Sequence, residues 1–388
     1  MLWRLQGNPP VRCFSKNTSQ ISVRECSMNR DYTKYRERHI AFWEMQEVES
    51  PLIGFTVGAG LDSWSYWQYN KAAQALLNKQ DIMPDDINPI DFIEDQLRYL
   101  ELSETINDDV CRSAMPLASV PWMEAILGCP VCSTEAHMTC KKILDNVDSS
   151  RPNRVSSDNV WVKKYFEFIQ VYTNVFSGRY PVTQSIVRGP SDLASALLGA
   201  EEAAMALMTE PEAMHGLLDY VTDQLEQFLK LHMGVLPKFQ DGYVIGQYEL
   251  WAPEPALRIQ EDASTLYSPE LFEEFLKPLD KRLASISKYT LIHLHSSSLF
   301  LIDQFLQVSQ IRAFQVTKDA GRISLAGMMP SLLKIQRAGK PLIVKGQFDY
   351  ADYDLMKRML SVRGLCVQPV VKNLSDAHRI MPMLRNWV

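Results

Sequence analysis

The chain has 388 residues, 46% of them hydrophobic and 22% charged, and carries a formal net charge of −6 at pH 7. That balance suits a soluble globular enzyme with a sizeable core, and an acidic excess without a basic run argues against nucleic acid or an anionic membrane as the main partner. No stretch approaches the roughly 18 consecutive apolar residues of a membrane-spanning helix.

Seven cysteines are too few and too unevenly placed for a secreted disulfide scaffold, so free thiols and a cytoplasmic setting are expected. Residues 1–27 carry Arg4, Arg12, Lys16 and Arg24 against Glu25 alone and lack the hydrophobic core of a secretory signal. They read as a disordered or leader-like tail, and residues 28–388 as a single domain with an N-terminal helical extension.

From Tyr32 to Glu47 apolar residues fall among charges at helical spacing. The apolar run Pro51–Val57, bounded by Pro and Gly, predicts a strand. Residues 62–105 read as helices broken at Pro84 and Pro89, and Val110–Met115 as a further strand after Asp108 and Asp109. Cys129 and Cys132, with His137 and Cys140 close behind, have the residue types of a zinc site, although small core cysteines read the same way.

Trp161–Phe176 predicts a helix and Tyr180–Val187 a strand, followed by Arg188 and by a helix that Ser191 or Asp192 can cap. Pro211–Met233 is a long amphipathic helix, and Asp241–Gly246 a strand. Arg258–Asp262 is a polar strand end or loop. Ser268 and Pro269 open a helix over Leu271–Lys277, and a second helix spans Leu279–Ser287.

The next strand, Leu291–His295, runs directly into Ser296, Ser297 and Ser298 and then into an apolar helix. Residues two apart in a strand share a face, so His293 and His295 project side by side. A buried imidazole must have its nitrogens satisfied, which requires acids, a metal or a ligand beside such a pair. Beyond it the pattern gives a strand ending at Asp319, a helix Ser331–Arg337, a strand Pro341–Gln347, a helix Asp352–Leu360, a strand Gly364–Val371 and a helix Ser375–Trp387.

Strand and helix therefore alternate steadily from Tyr180, which argues for a parallel sheet with crossover helices. Repeat number and length favour a closed (β/α)8 TIM barrel, and neither Gly-rich phosphate fingerprint follows a strand. In a barrel the functional face is the carboxyl end of the strands. The residues found there are Asp109, Arg188, Asp262, His293, His295, Asp319, Gln347, Cys366 and Gln368.

The chain resembles the uroporphyrinogen decarboxylase superfamily, which also holds zinc-containing, cobalamin-dependent methyltransferases. The resemblance rests on Tyr180–Val182 with Arg188–Leu193, Gly199–Glu202, Glu210–Glu212, Glu261 and Asp262 with Ser268–Phe272, the histidine strand, and Gly339–Pro341. It implies a barrel of the uroporphyrinogen decarboxylase type and frequent homodimers. The catalytic Asp of the decarboxylases matches Asp109. Their Tyr falls near Ala196 and their Ser near Asp262, and their late His and their substrate-holding Arg-Gln-Ala-Gly-Arg segment have no counterpart.

The methyltransferase branch shows His-x-Cys on the histidine strand and a distant Cys that completes a zinc site. Here that resemblance implies His293, His295 and Cys366 as metal ligands, with one coordination position open. It implies methyl transfer assisted by zinc, with the methyl group held on a corrinoid carried by a separate protein. Asp109, Asp262, His293 and His295 are the expected catalytic residues, and Arg188, Ser296, Asp319, Gln347 and Gln368 the expected contacts to a polar small molecule. Two other readings are decarboxylation of uroporphyrinogen or a related carboxylate in porphyrin biosynthesis, through Asp109, and a barrel that binds a ligand without catalysis.

Overall fold

The computed structural model describes residues 30–58, 71–134, 137–149, 151 and 153–387. The tail read at residues 1–27 lies outside them. From Asp31 onward the chain forms one compact unit. Its first helix, Tyr32–Trp43, opens on Asp31, whose carboxylate accepts the amides of Thr33 and Lys34 at 3.0 and 3.1 Å.

The centre is a seven-stranded, parallel sheet built from β1 (Leu52–Ile53), β2 (Thr56–Val57), β7 (Ala256–Gln260), β8 (Tyr289–His295), β9 (Ala313–Lys318), β10 (Leu342–Gly346) and β11 (Leu365–Val371). Its order is β1-β11-β10-β9-β8-β7, with β2 also on β11. Two antiparallel hairpins stand apart, β3 (Val131–Ser133) with β4 (Met138–Cys140), and β5 (Tyr243–Ile245) with β6 (Leu250–Ala252). The strand expected at Asp241–Gly246 thus belongs to a hairpin and not to the parallel alternation. Among the described residues no helix is long and apolar enough to cross a membrane.

Period-two alternation sorts the sheet into two faces. Ile292, Leu294, Phe314, Val316, Leu342, Val344 and Val367 join the large core that includes the helices. Leu291, Ala313, Ile343 and Cys366 join a second cluster with Leu52, Trp43 and Tyr248. His293 and His295 share the parity of Leu291, so they lie on this second, inner face. Register places Gln260 and Gln315 on either side of His293.

Two expected strands are not ladders. Val110–Met115 and Tyr180–Val187 make a single isolated parallel bridge, Ala114 with Val182. Side chains take over backbone pairing there: Asp109 accepts the Ile53 amide at 2.8 Å, Asp108 the Phe55 amide at 2.7 Å, and the Gln184 amide group spans to the Arg258 carbonyl at 3.2 Å and amide at 3.4 Å. A ladder cannot propagate where carboxylates and amides occupy the positions of main-chain partners.

The helices expected at Leu271–Lys277 and Leu279–Ser287 are one run from Pro269 to Ala284, with a π-helical turn at Phe272–Leu276. Pro278 has no N–H to give, and widening the preceding turn accommodates its ring without ending the helix. The helix expected at Ser331 begins earlier, at Leu325, where Ser324 caps it.

Candidate functional site

The two histidines stand at the carboxyl end of β8, and Asp262 follows β7 beside them. One donor atom from each of Asp262, His293 and His295 lies within 4.8 Å of the other two, and among the described residues this is the one such group of His, Cys, Asp or Glu. The edges are 3.2 Å between the two Nε2 atoms, 3.9 Å from His293 Nε2 to Asp262 Oδ1, and 3.7 Å from His295 Nε2 to Asp262 Oδ2.

The other nitrogen of each ring is held. His293 Nδ1 meets Tyr248 Oη at 2.8 Å and also Gln315 Oε1. His295 Nδ1 meets Asp319 Oδ1 at 2.7 Å, and Asp319 Oδ2 accepts the Ser296 amide at 3.0 Å and hydroxyl at 2.6 Å. Both rings are therefore fixed with Nε2 turned toward Asp262. Burial, with Arg258 and His295 nearby, pushes the His293 pKa well below its ordinary value, so this ring is neutral at pH 7. Burial also works to raise the Asp319 carboxyl, but Ser296 and His295 outweigh it and hold the group below its usual value.

Asp262 is placed by a polar relay along β7. Arg258 donates to Gln260 Oε1 at 2.5 Å, and Gln260 Nε2 donates to Asp262 Oδ2 at 2.7 Å. Asp262 Oδ1 is buried and has no hydrogen-bond partner. Burial raises the Asp262 pKa, while His295, Arg258 and Arg188 pull it the other way.

The donor set suits a divalent metal of the zinc type. Zinc takes N and O donors at about 2.0–2.1 Å, which sets tetrahedral ligand edges near 3.3 Å, against 3.2, 3.7 and 3.9 Å here. Ligating histidines characteristically have their second nitrogen held by a carboxylate or other polar group, as both rings do here. The orphaned Asp262 oxygen supplies a buried carboxylate donor with no hydrogen-bond partner among the described residues.

The remaining residues from the sequence are scattered around this centre. Ser296 and Asp319 belong to it. Gln368 lies on the inner face and donates to the Tyr248 carbonyl at 2.7 Å. Arg188 pairs with Glu124, and its charge is felt at Asp192 and Asp262. Gln347 is exposed, and its carbonyl accepts from Lys318 at 2.8 Å.

Two expectations change. Cys366 does not join the metal-type group; it is fully buried in the inner apolar cluster, and burial pushes its thiol well above the ordinary value, the wrong direction for a thiolate ligand. Asp262 is the third member of that group. Asp109 is not beside the histidines either: its carboxylate is engaged by Arg385 at 2.7 and 2.9 Å, Arg38 at 3.1 Å and the Ile53 amide at 2.8 Å. Among the described residues the cysteines around Cys129 form no metal-type group, and Cys129, Cys132 and Cys140 are free thiols at or beside the β3–β4 hairpin.

Sequence reasoning missed Tyr248, Gln315 and Gln260. Gln315 and Gln260 carried a signal, since each is a polar residue at the inner-face parity of a strand buried on both sides. Tyr248 carried none: it reaches His293 from the turn of a hairpin 45 residues earlier.

No family model and no curated protein matches the chain. Among solved structures the fold is similar to a methyltransferase from Methanosarcina mazei, with a TM-score of 0.59 and 14% sequence identity over 90% of this chain and 98% of that one. At that identity the likeness is one of fold.

Proposed function

We propose that the protein is a metal-dependent methyltransferase on a closed eight-position (β/α) barrel of the uroporphyrinogen decarboxylase type. Closure has support in the links that continue the sheet beyond β1: the Asp109 amide donates to the Ile53 carbonyl at 2.8 Å, the Ala114–Val182 bridge follows, and Gln184 spans to Arg258 on β7. The observation that carries the activity is the convergence of Asp262, His293 and His295 on the inner face of a fold shared with a methyltransferase. These three residues would hold a zinc ion and leave a fourth position for substrate.

When bound, the metal supplies Lewis acidity, which lowers the pKa of a thiol or other acceptor and makes it a nucleophile. The chain's own residues prepare that position. Tyr248 and Gln315 fix the His293 ring, Asp319 fixes His295, and Gln260 orients Asp262. Neutral His293 keeps its Nε2 lone pair available at pH 7. The resemblance assigns the methyl group to a corrinoid on a separate protein, and a carboxylate in place of a thiolate leaves a harder donor set at this centre.

Decarboxylation through Asp109 has less support, because that carboxylate is already spent on two arginines and an amide. The test is elemental analysis of protein purified without added metal, together with Asp262→Ala, His293→Ala and His295→Ala. About one zinc per chain, lost in each variant, is the expected result. Protein that holds no zinc and fails to take it up at micromolar concentrations would overturn the reading and leave a binding barrel without metal chemistry.

A further inference from the structure

The metal-type centre leaves the cysteines around the β3–β4 hairpin without a role, yet two separate pieces of local structure bring Cys129 and Cys140 together. The helix Trp122–Ile126 ends at Gly128, whose φ of 103° turns the chain back. The Gly128 amide then donates to the Ala125 carbonyl at 3.1 Å and the Cys129 amide to the Glu124 carbonyl at 2.9 Å, the paired bonds of a Schellman cap. Cys129 is thereby fixed near Glu124. From the other side, β4 pairs Cys140 with Val131, and the Lys141 amide extends the ladder to the Pro130 carbonyl at 3.0 Å. Residues two apart share a face, so Cys129 follows the face of Val131 and comes beside Cys140. The Cys129 thiol donates a hydrogen bond to the Cys140 sulfur.

The surroundings separate the two thiols in character. Glu124 is buried and forms an ion pair with Arg188, whose guanidinium also donates to the Cys140 sulfur. Cys129 is buried, whereas Cys140 is half-buried and open to a small reagent. The hydrogen bond from Cys129, with the Arg188 charge, pulls the Cys140 pKa below the ordinary thiol value against burial and the Glu124 carboxylate. The same hydrogen bond, followed by burial, keeps the proton on Cys129. Reactive thiols occupy electropositive, partly exposed positions of this kind, and buried thiols in apolar surroundings are inert. Cys366, inside the inner apolar cluster, is the contrasting case.

Other uses of the pair have less support. Among the described residues no third His, Cys, Asp or Glu joins the two sulfurs in a metal-type group. Cys132 has the opposite parity in the hairpin and pairs with Thr139. Two touching sulfurs, one activated by a guanidinium and the other protonated beside it, are the parts needed for thiol–disulfide exchange.

We propose that Cys129 and Cys140 are a redox-active dithiol that oxidised glutathione converts to a disulfide, with Cys140 as the attacking thiol and Cys129 as the resolving one. The Cys140 thiolate attacks one glutathione sulfur and forms a mixed disulfide, and the first reduced glutathione leaves with a proton. Cys129 gives up its proton as it attacks the Cys140 sulfur, and the second glutathione departs with that proton. Two protein thiols are oxidised and one small disulfide is reduced to two thiols. Arg188 links the pair to the metal-type centre, because its charge acts on Asp192 and Asp262. Oxidation removes the negative sulfur that Arg188 contacts and leaves its ion pair with Glu124. The assignment is independent of the metal reading, since it is tested on the state of the two sulfurs.

The test equilibrates full-length protein in glutathione buffers from reducing to oxidising, quenches with acid, alkylates the free thiols, then reduces and alkylates again with a second reagent. Trypsin leaves Cys129, Cys132 and Cys140 on one peptide, residues 113–141, so mass spectrometry reads all three together. Cys129 and Cys140 should shift jointly from the first reagent to the second as the buffer becomes oxidising, with no glutathione on either, and Cys132→Ser should leave that transition in place. Cys129→Ser should stop at a mixed disulfide of glutathione on Cys140, and Arg188→Gln should slow modification of Cys140 about 10-fold. Both thiols still taking the first reagent in the most oxidising buffer would overturn the proposal, as would loss of the transition in Cys132→Ser. An unchanged rate in an Arg188→Gln variant that circular dichroism shows to be folded would overturn the assignment of Cys140 as the activated thiol.

Discussion

At the scale of single residues, the candidate centre depends on groups that hold the donors as much as on the donors themselves. Asp319 does not reach the shared point but fixes His295 through a 2.7 Å contact and is itself held by Ser296. Asp319→Asn should therefore weaken zinc affinity about 10- to 100-fold with little change in stability, read by competition against a chelating dye. Cys366→Ser is the converse. Because that thiol lies in the inner apolar cluster, the variant should keep its full zinc content, and loss of the metal would return Cys366 to the ligand set.

At the scale of elements, the joint between β7 and the helices behind it contains an unusual group of acids. Glu261, Asp192 and Asp280 are fully buried, and both Asp280 oxygens and one Glu261 oxygen have no hydrogen-bond partner. A side chain at Gly189 would collide with the Gln260 carbonyl and with Glu261 Oε1, so only glycine lets the 190–198 helix approach this joint. Burial, followed by the charge of Asp262, pushes Asp192 up to about 7, burial pushes Asp280 up to about 7, and burial with the charges of Asp280 and Asp192 raises Glu261 well above its ordinary value. The protonated cluster is the stable one: its contribution is complete below the unfolded carboxyl range of about 4 and is lost as pH rises through about 7. Asp280→Asn should raise the melting temperature at about pH 8 and change it little at about pH 5, as followed by thermal denaturation.

At the scale of the whole molecule, Asp109 joins three distant parts of the chain. It ties the first helix through Arg38, β1 through the Ile53 amide and the last helix, Leu374–Arg385, through Arg385. Burial alone would raise its carboxyl, but Arg385 and Arg38 hold it below the usual range. Its contribution is present above the unfolded carboxyl value and is lost as pH falls through the lower folded one, opposite in sign to the acid cluster. Asp109→Ala should cost about 2–3 kcal/mol in denaturant unfolding, less than a fully buried pair because both arginines reach solvent. Zinc content should stay intact, which separates a structural clasp from a catalytic acid.

Much of this architecture was legible in the chain. From Leu291 onward each strand is a buried apolar run, and each helix between them shows its own period, so local sequence and tertiary role agree. His293 and His295 announced themselves because two imidazoles at strand spacing must meet partners if buried. The segments at 108–115 and 180–187 were apolar enough to read as strands, yet side-chain carboxylates and amides replaced the ladder, which no local pattern encodes.

Local composition by itself determined the parallel alternation, the inner-face parity of the histidines and the polar character of the strand ends. Only the tertiary structure decided which third donor joins the histidines, because that depends on β7 lying beside β8 and on Asp262 emerging at the same height. It alone also decided the role of the β5–β6 turn. Tyr248 meets His293 across the molecule, and a side chain's long-range partner is set by packing rather than by its neighbours in sequence.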